Sequence, residues 1–341
     1  MTAAAPNRQP AMLPVALDAM GGDRAPGEII AGARQAAEEL GIPVLLVGDP
    51  RRLSDIGDLP VLAAGEVIEM HEDPAQGVRR KKDSSLVRAA EAVRDGTASA
   101  MVSAGNTGAT MASALFRMGR VQGVARPAIA TPIPVPGSTP TVLLDAGANA
   151  ECLPSWLVQF AQMGAAFSRV RYGIALPRVG LLSIGEEDTK GTPLVKETHA
   201  LLAAGAAGPG VEFIGNVEGR DIMSESVDVV VTDGFTGNVA LKALEGGLKR
   251  FVGAVLEALN STEEIRAVSP AVLHALAPLA DEFDPDTYGG AMLLGVSGVC
   301  IISHGSSSAR AIVNALKVAR DAVQNGLVEE VRAAVASGRA G

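Results

Sequence analysis

Short, fully apolar runs closed by a glycine-bearing polar loop recur along this chain, and each leads into a helix-forming stretch. Leu13 to Leu17, broken only by Pro14, ends at Asp18 and turns through Gly21 and Gly22. Ala98 to Val102 runs into Ser103-Ala-Gly-Asn-Thr-Gly108, and Thr141 to Leu144 into Asp145-Ala-Gly-Ala-Asn149. Val179 to Ile184 leads to Gly185-Glu-Glu-Asp-Thr-Lys-Gly-Thr192, and Val227 to Thr232 leads to Asp233-Gly-Phe-Thr-Gly-Asn238. The last run, near Val299 to Ile302, ends at Ser303-His-Gly-Ser-Ser307. Runs this short and continuous suit strands buried on both faces, as in a parallel sheet. With helices between them they make the βαβ units of an α/β fold. Ligands of such sheets bind outside the carboxyl ends of the strands, where these loops lie.

The remaining elements follow from local signals. Asp23 or Ala25 is expected to cap a helix over Ile29 to Leu40, with Pro26 in its first turn and Gly41 as its stop. Val44 to Val47 and Glu66 to Met70 read as strands. Asp83 is expected to cap a helix from Ser84 to Arg94, ended by Gly96. Ile129 to Val135 pairs with Thr141 to Leu144. Met292 to Ile302 reads as one buried strand with its flanks, followed by a helix from Ala309 to Val323. Leu244 to Asp286 has helical apolar spacing and reads as an excursion from the sheet, for dimerisation or partner binding. The organisation expected is a tail over residues 1–12 and one elaborate α/β domain over 13–330.

Composition removes several function classes. The net charge of −9 and the 3% aromatic content argue against a nucleic-acid partner. Cys152 and Cys300 are the only cysteines, too few for a disulfide framework or a cysteine zinc site, and a reducing cytosol fits. The first residues lack the apolar core of a signal peptide. No run reaches the roughly 18 uninterrupted apolar residues of a membrane span.

Two features point to anions. Loop residues Ser103, Asn106 and Thr107, with the backbone of Gly105 and Gly108, sit where a helix N-terminus can hold an anion. Val231-Thr-Asp-Gly-Phe-Thr-Gly237 repeats the pattern of Val102 to Gly108, which suggests two walls of one cleft. The plainer reading is that tight strand-to-helix turns select Gly and Thr. Neither loop, nor the one around Lys190, is a Walker loop. Arg79-Arg-Lys-Lys82 is the densest basic cluster in an acidic protein. It is either a solvated turn or a docking patch.

Taken in order, Leu17-Asp-Ala-Met-Gly-Gly-Asp23, Arg80-Lys-Lys-Asp-Ser-Ser85, Ser103 to Ala109, Leu144 to Asn149, Gly185 to Thr192, Asn216-Val-Glu-Gly-Arg-Asp221, Thr232 to Asn238, Tyr288-Gly-Gly290 and His304-Gly-Ser-Ser307 resemble the bacterial phosphate acyltransferase family of phospholipid synthesis, PlsX. The resemblance runs from about Leu13 to about Gln324. It implies a three-layer α/β/α fold with a mostly parallel sheet, similar to isocitrate and isopropylmalate dehydrogenases and to phosphotransacetylases. It implies a homodimer that moves a long fatty acyl group from acyl carrier protein to inorganic phosphate. A membrane glycerol-3-phosphate acyltransferase then consumes the acyl phosphate, so work near the inner face of the membrane is implied too.

Such a reaction needs a dianion held beside an acyl carbonyl and an oxyanion stabilised. Lys190, His304 and Asn238 are the catalytic candidates. Lys190 neutralises phosphate or the oxyanion; His304 hydrogen-bonds phosphate or gives a proton to the thiolate. His71, His199 and His274 read as structural or solvated. The substrate-binding candidates of the first half are Asp18, Gly21, Gly22, Lys82, Ser103, Gly105, Asn106, Thr107, Gly108, Asp145 and Asn149. Those of the second half are Thr192, Asn216, Asp233, Thr236, Gly237, Gly305 and Ser306. Arg79, Arg80 and Lys81 are candidates for docking the acidic carrier protein. No cofactor and no metal is expected; Mg²⁺ at Asp18, Asp23, Asp145 or Asp233 is the weaker alternative.

A short-chain phosphotransacetylase, a decarboxylating dehydrogenase and a binding module are the rival readings, in that order. For the membrane, residues 244–286 carry three basic and eight acidic side chains, so an anionic leaflet repels them on average. Val272, Leu273, Leu276 and Leu279 at the expected tip point to weak, mainly hydrophobic association of a cytoplasmic protein.

Overall fold

The computed structural model describes residues 12–338. Eleven strands form one sheet: β1 (Val15–Asp18), β2 (Val44–Gly48), β3 (Val61–Ala63), β4 (Ala100–Ser103), β5 (Ala128–Ile133), β6 (Thr141–Leu144), β7 (Arg178–Leu182), β8 (Glu212–Val217), β9 (Val229–Val231), β10 (Ala291–Leu294) and β11 (Val299–Ile302). Their order is β3-β2-β1-β4-β11-β10-β5-β6-β9-β7-β8. Pairing is parallel throughout except where β10 meets β11 and β5, and where β5 meets β6. Those three reversals make β4 and β9 run in opposite senses.

The helices are α1 (Gly27–Leu40), α2 (Pro74–Arg80), α3 (Ser85–Arg94), α4 (Thr107–Arg117), α5 (Pro154–Tyr172), α6 (Pro193–Ala203), α7 (Gly234–Leu259), α8 (Glu263–Phe283), α9 (Ala309–Gln324) and α10 (Leu327–Ser337). They cover both faces of the sheet. Val15 and Leu17 pack with α1, α5, α9 and α10 in the larger core. Ala16, between them, joins α2, α3 and α4 on the other face, as do Met101 and Cys300. Leu143 and Val230 complete that second face under the first half of α7. Alternate residues of fully apolar strands thus feed opposite cores, which is why the runs show no polar alternation.

Several local expectations are corrected. Pro26, not Asp23 or Ala25, is the residue before the first helical turn of α1, and no side chain caps it. Glu66 to Met70 is not a strand; Glu66 makes one bridge to Ser84, and the strand lies earlier, at β3. Ser84 caps α3 with Oγ accepting from the N–H of Val87, while Asp83 accepts from the N–H of Gly65 at 2.8 Å. Met292 to Ile302 is a hairpin, because Gly295 adopts φ 88° and reverses the chain between β10 and β11. A further helix, α10, follows α9 and carries the fold past the expected boundary at residue 330. The tail expected over 1–12 lies, except for Met12, outside the described residues.

The excursion is an α7–α8 hairpin that turns at Asn260 to Thr262. Val272 to Leu279 therefore lie along the flank of α8, not at a tip. Phe251, Val252 and Val268 are more than half exposed there.

Candidate active site

The sequence candidates fall into three groups. The first joins the loops after β1, β4 and β11. Asp18 is buried at the end of β1. Its Oδ2 accepts from Ser103 Oγ at 2.7 Å and its Oδ1 from the N–H of Met20 at 3.1 Å. Burial pushes its carboxyl up, against the lowering effect of hydrogen bonds from Ser85, Ser103, Met20 and Gly21. Gly21 and Gly105 meet backbone to backbone: a Cβ on Gly21 would lie 2.4 Å from Asp18 Oδ2 and 2.8 Å from Gly105 Cα. That approach is the reason for glycine at both positions. Gly22, at φ 112°, sits under the carbonyls of Ala104 and Gly305. The N–H of Asp23 donates to Gly305 O at 2.7 Å, and that of Ser303 to Ser103 O at 2.8 Å.

Within this group the side chains divide by availability. Ser103 Oγ is spent on Asp18 and on the N–H of Gly105. Asn106 caps α4 through Oδ1 and holds the carbonyls of Met70 and Glu72 through Nδ2. Gly108 packs against Pro74. Thr107 is exposed on the first turn of α4. His304 is exposed, with Nδ1 2.8 Å from Ser306 Oγ and 3.3 Å from the N–H of Ser306. A backbone N–H only donates, so Nδ1 accepts and the neutral ring carries its proton on Nε2.

The second group joins the loops after β6 and β9. Asp145 is buried and accepts from the N–H groups of Ile129, Gly147, Ala148 and Asn149 and from Asn149 Nδ2. Burial still raises its pKa against these bonds. Gly234 and Gly237 pack onto Asn149 and the Asp145 backbone, and Gly147 lies against Asn238. Asp233 caps α7 and also receives Thr236 Oγ1 at 2.8 Å. Asn238 is exposed on the first turns of α7.

The two like loops are therefore different turns. The cap of α4 is Asn106, just before Thr107; the cap of α7 is Asp233, three residues before Thr236. Ser103 lengthens the first turn by accepting from Gly105, so Thr107 and Thr236 are not equivalent. No hydrogen bond joins the two groups among the described residues. β4 and β9 are separated by β11, β10, β5 and β6. The two-wall arrangement expected from the pattern is replaced by two separately built turns.

The third group is the turn between β7 and α6. Thr192 caps α6, accepting from the N–H of Val195 at 3.3 Å. Asn216 at the end of β8 donates to Glu187 O at 2.8 Å and faces His199. Lys190 is exposed and makes no ion pair among the described residues. Arg220, not singled out in the sequence, reaches Glu186 and Glu218 at 3.0 Å each.

The basic cluster divides as well. Lys81 Nζ donates to Val67 O at 2.6 Å and pairs with Glu72. Arg79, Arg80 and Lys82 are exposed and unpaired among the described residues. No group of three His, Cys, Asp or Glu side chains is arranged to hold a metal ion among the described residues.

A family described as fatty acid synthesis protein matches residues 13–330. The phosphate acyltransferase of Pelotomaculum thermopropionicum is 48% identical, covering 95% of each chain. The chain belongs to the phosphate acyltransferase family. Within that family, the Nostoc sp. phosphate acyltransferase is 44% identical over 93% of this chain and 95% of its own. Beyond the family, the fold is shared with a phosphotransacetylase from Streptococcus pyogenes (TM-score 0.61, 18% identical, covering 92% of this chain and 94% of that one). It is shared too with 4-hydroxythreonine-4-phosphate dehydrogenase from Klebsiella pneumoniae (TM-score 0.51, 14% identical, covering 92% and 100%). These likenesses fit the expected fold class and concern the fold alone.

Proposed function

We propose that this enzyme transfers a long-chain fatty acyl group from acyl carrier protein to inorganic phosphate, giving an acyl phosphate for phospholipid synthesis. The observation that carries the reading is the near-full-length identity to phosphate acyltransferases. A phosphate oxygen attacks the thioester carbonyl carbon. The tetrahedral oxyanion collapses, the C–S bond breaks, and the leaving thiolate ends with the proton of the hydrogen phosphate, so that the acyl phosphate departs as a dianion. Lys190, with no ion-pair partner among the described residues, is the cation for phosphate or the oxyanion. His304, with its proton on Nε2 and in the separate group of loops after β1, β4 and β11, is the alternative hydrogen-bond donor to phosphate. Asn238 is the exposed neutral donor in the group after β6 and β9; Thr107, with the N–H groups of Thr107 and Gly108 at the start of α4, is the neutral donor in the group that holds His304.

The decisive experiment incubates the purified protein with phosphate and either palmitoyl-carrier protein or acetyl-CoA. Palmitoyl phosphate from the first mixture is the expected product. Acetyl phosphate from the second alone would favour the short-chain phosphotransacetylase.

Carrier docking is proposed at Arg79, Arg80 and Lys82, with Lys81 as the anchor that fixes the turn. Reversing Arg79 and Arg80 to glutamate is expected to lower kcat/KM for the acyl-carrier substrate about tenfold at low salt and to flatten its salt dependence. An equal loss with a small thioester would move these arginines from docking to the reaction itself.

The exposed apolar face of the α7–α8 hairpin supports a homodimer. Membrane association is proposed as weak, because the turn at residues 260–262 is followed at once by Glu263 and Glu264 in the first turn of α8. No helix among the described residues is long and apolar enough to cross a membrane. Weak liposome flotation that survives high salt is expected. Strong flotation that vanishes with salt would contradict it.

A further inference from the structure

His199 is held in one orientation by two neighbours. Its ring packs edge-on to Phe213, with centroids 5.3 Å apart. Its Nδ1 lies 3.2 Å from Asn216 Oδ1. Asn216 is buried, and its Nδ2 donates to Glu187 O at 2.8 Å. A carbonyl only accepts, so the amide orientation is fixed and Oδ1 faces the histidine. Nδ1 of His199 therefore carries the proton. The same Glu187 carbonyl accepts from the backbone N–H of Lys190 at 3.0 Å. The other side of this turn is closed by Gly185, where an added Cβ would lie 2.9 Å from Lys190 Cγ.

These bonds tie α6 and β8 to the turn that presents Lys190. Without His199, Asn216 Oδ1 loses its partner in a buried place. The amide is then held on one side only, by Nδ2 on Glu187 O, and that bond loosens as Oδ1 turns toward water. We infer that His199 is a positioning residue, which fixes the Glu187–Lys190 turn through Asn216 and so sets where the Lys190 ammonium meets phosphate. This rests on Lys190 being the phosphate ligand proposed above.

The test compares His199→Leu, His199→Asn, Asn216→Ala, the double variant that combines His199→Leu with Asn216→Ala, and Lys190→Ala, all in the full-length enzyme. Leucine keeps apolar packing on Phe213 but removes the donor; asparagine places an amide N–H near the former Nδ1. His199→Leu is expected to raise KM for phosphate about fivefold, the worth of roughly one neutral hydrogen bond. KM for the acyl-carrier substrate should stay unchanged, and His199→Asn should recover most of the loss. The double variant should be no worse than Asn216→Ala, since both act through one bond. Amide hydrogen exchange over residues 186–191 should quicken in His199→Leu. Unchanged exchange and unchanged phosphate KM in that variant would overturn the inference. So would equal losses in the leucine and asparagine variants. If Lys190→Ala leaves phosphate KM unchanged, the ligand reading fails, and the exchange data alone decide whether His199 holds the turn.

Discussion

Replacing Lys190 with alanine is expected to lower kcat/KM for phosphate about a hundredfold, roughly 2.7 kcal/mol of transition-state stabilisation. The melting temperature should not fall. The side chain is exposed and has no ion-pair partner among the described residues, so its removal breaks nothing in the resting protein. The turn keeps its shape, because Lys190 contributes to it through its backbone N–H on Glu187 O. Removing a cation just before the first turn of α6 relieves a small unfavourable interaction with the helix dipole. Glu186, Glu187 and Asp188 precede it in sequence, yet Glu186 is drawn to Arg220 instead. No carboxylate among the described residues neutralises Lys190, and that is the ground for the expected loss with phosphate. Lys190→Arg keeps the charge but not the shape, and is expected to recover part of the rate. Steady-state kinetics at varied phosphate, beside a thermal melt, check both halves. Normal turnover in the alanine variant would remove Lys190 from the mechanism.

Much of the fold was legible because the buried strands are apolar except at an end, where Asp18, Ser103 or Thr141 stands. Leu143 and its neighbours Val142 and Leu144 feed opposite cores, and that requirement is written directly in the residues. The β10–β11 hairpin was not legible for the same reason. Both its arms are apolar, and only the φ of Gly295 distinguishes a reversal from a bulge. Glu66 to Met70 has strand-like residues but no neighbour to pair with beyond Ser84, and pairing is not a local property.

Among the candidate site residues, the strand-to-helix turns were legible in the sequence and the bonds that each side chain makes were not. Asn106 and Thr236 have the chemistry of phosphate ligands. Asn106 is consumed by a helix cap and two carbonyls, and Thr236 Oγ1 by Asp233. Small polar residues at strand-to-helix turns satisfy backbone groups first, because those groups are covalently close. Lys81 looked like its three basic neighbours, yet Val67 and Glu72 hold it. His199 showed the opposite case. Its partners Phe213 and Asn216 stand more than a dozen residues away, so nothing around it in sequence marked it.

Gly237→Ala is expected to destabilise the fold by roughly 3–5 kcal/mol, at the far end of single-substitution effects. A Cβ there would lie 2.0 Å from the carbonyl oxygen of Asp145 and 3.0 Å from its carbonyl carbon. Both are backbone atoms, so no rotamer relieves the overlap. Moving Asp145 strips a buried carboxylate of donors from Ile129, Gly147, Ala148 and Asn149. Burial already makes its charge costly, and each lost bond adds to that cost. Moving α7 instead pulls the N–H of Gly234 from Asn149 O, now 2.8 Å away, and lifts Leu241 and Leu244 from the core beneath. Neither route is cheap, and no third route exists at a helix start fixed by the Asp233 cap. Gly27→Ala is the control: it also sits at a helix start, with nothing within 4 Å of an added Cβ, and should be neutral or slightly stabilising. Urea unfolding of the two variants side by side checks the contrast. A Gly237→Ala protein as stable as the parent would mean that the α7 start and the Asp145 loop are not packed together as described.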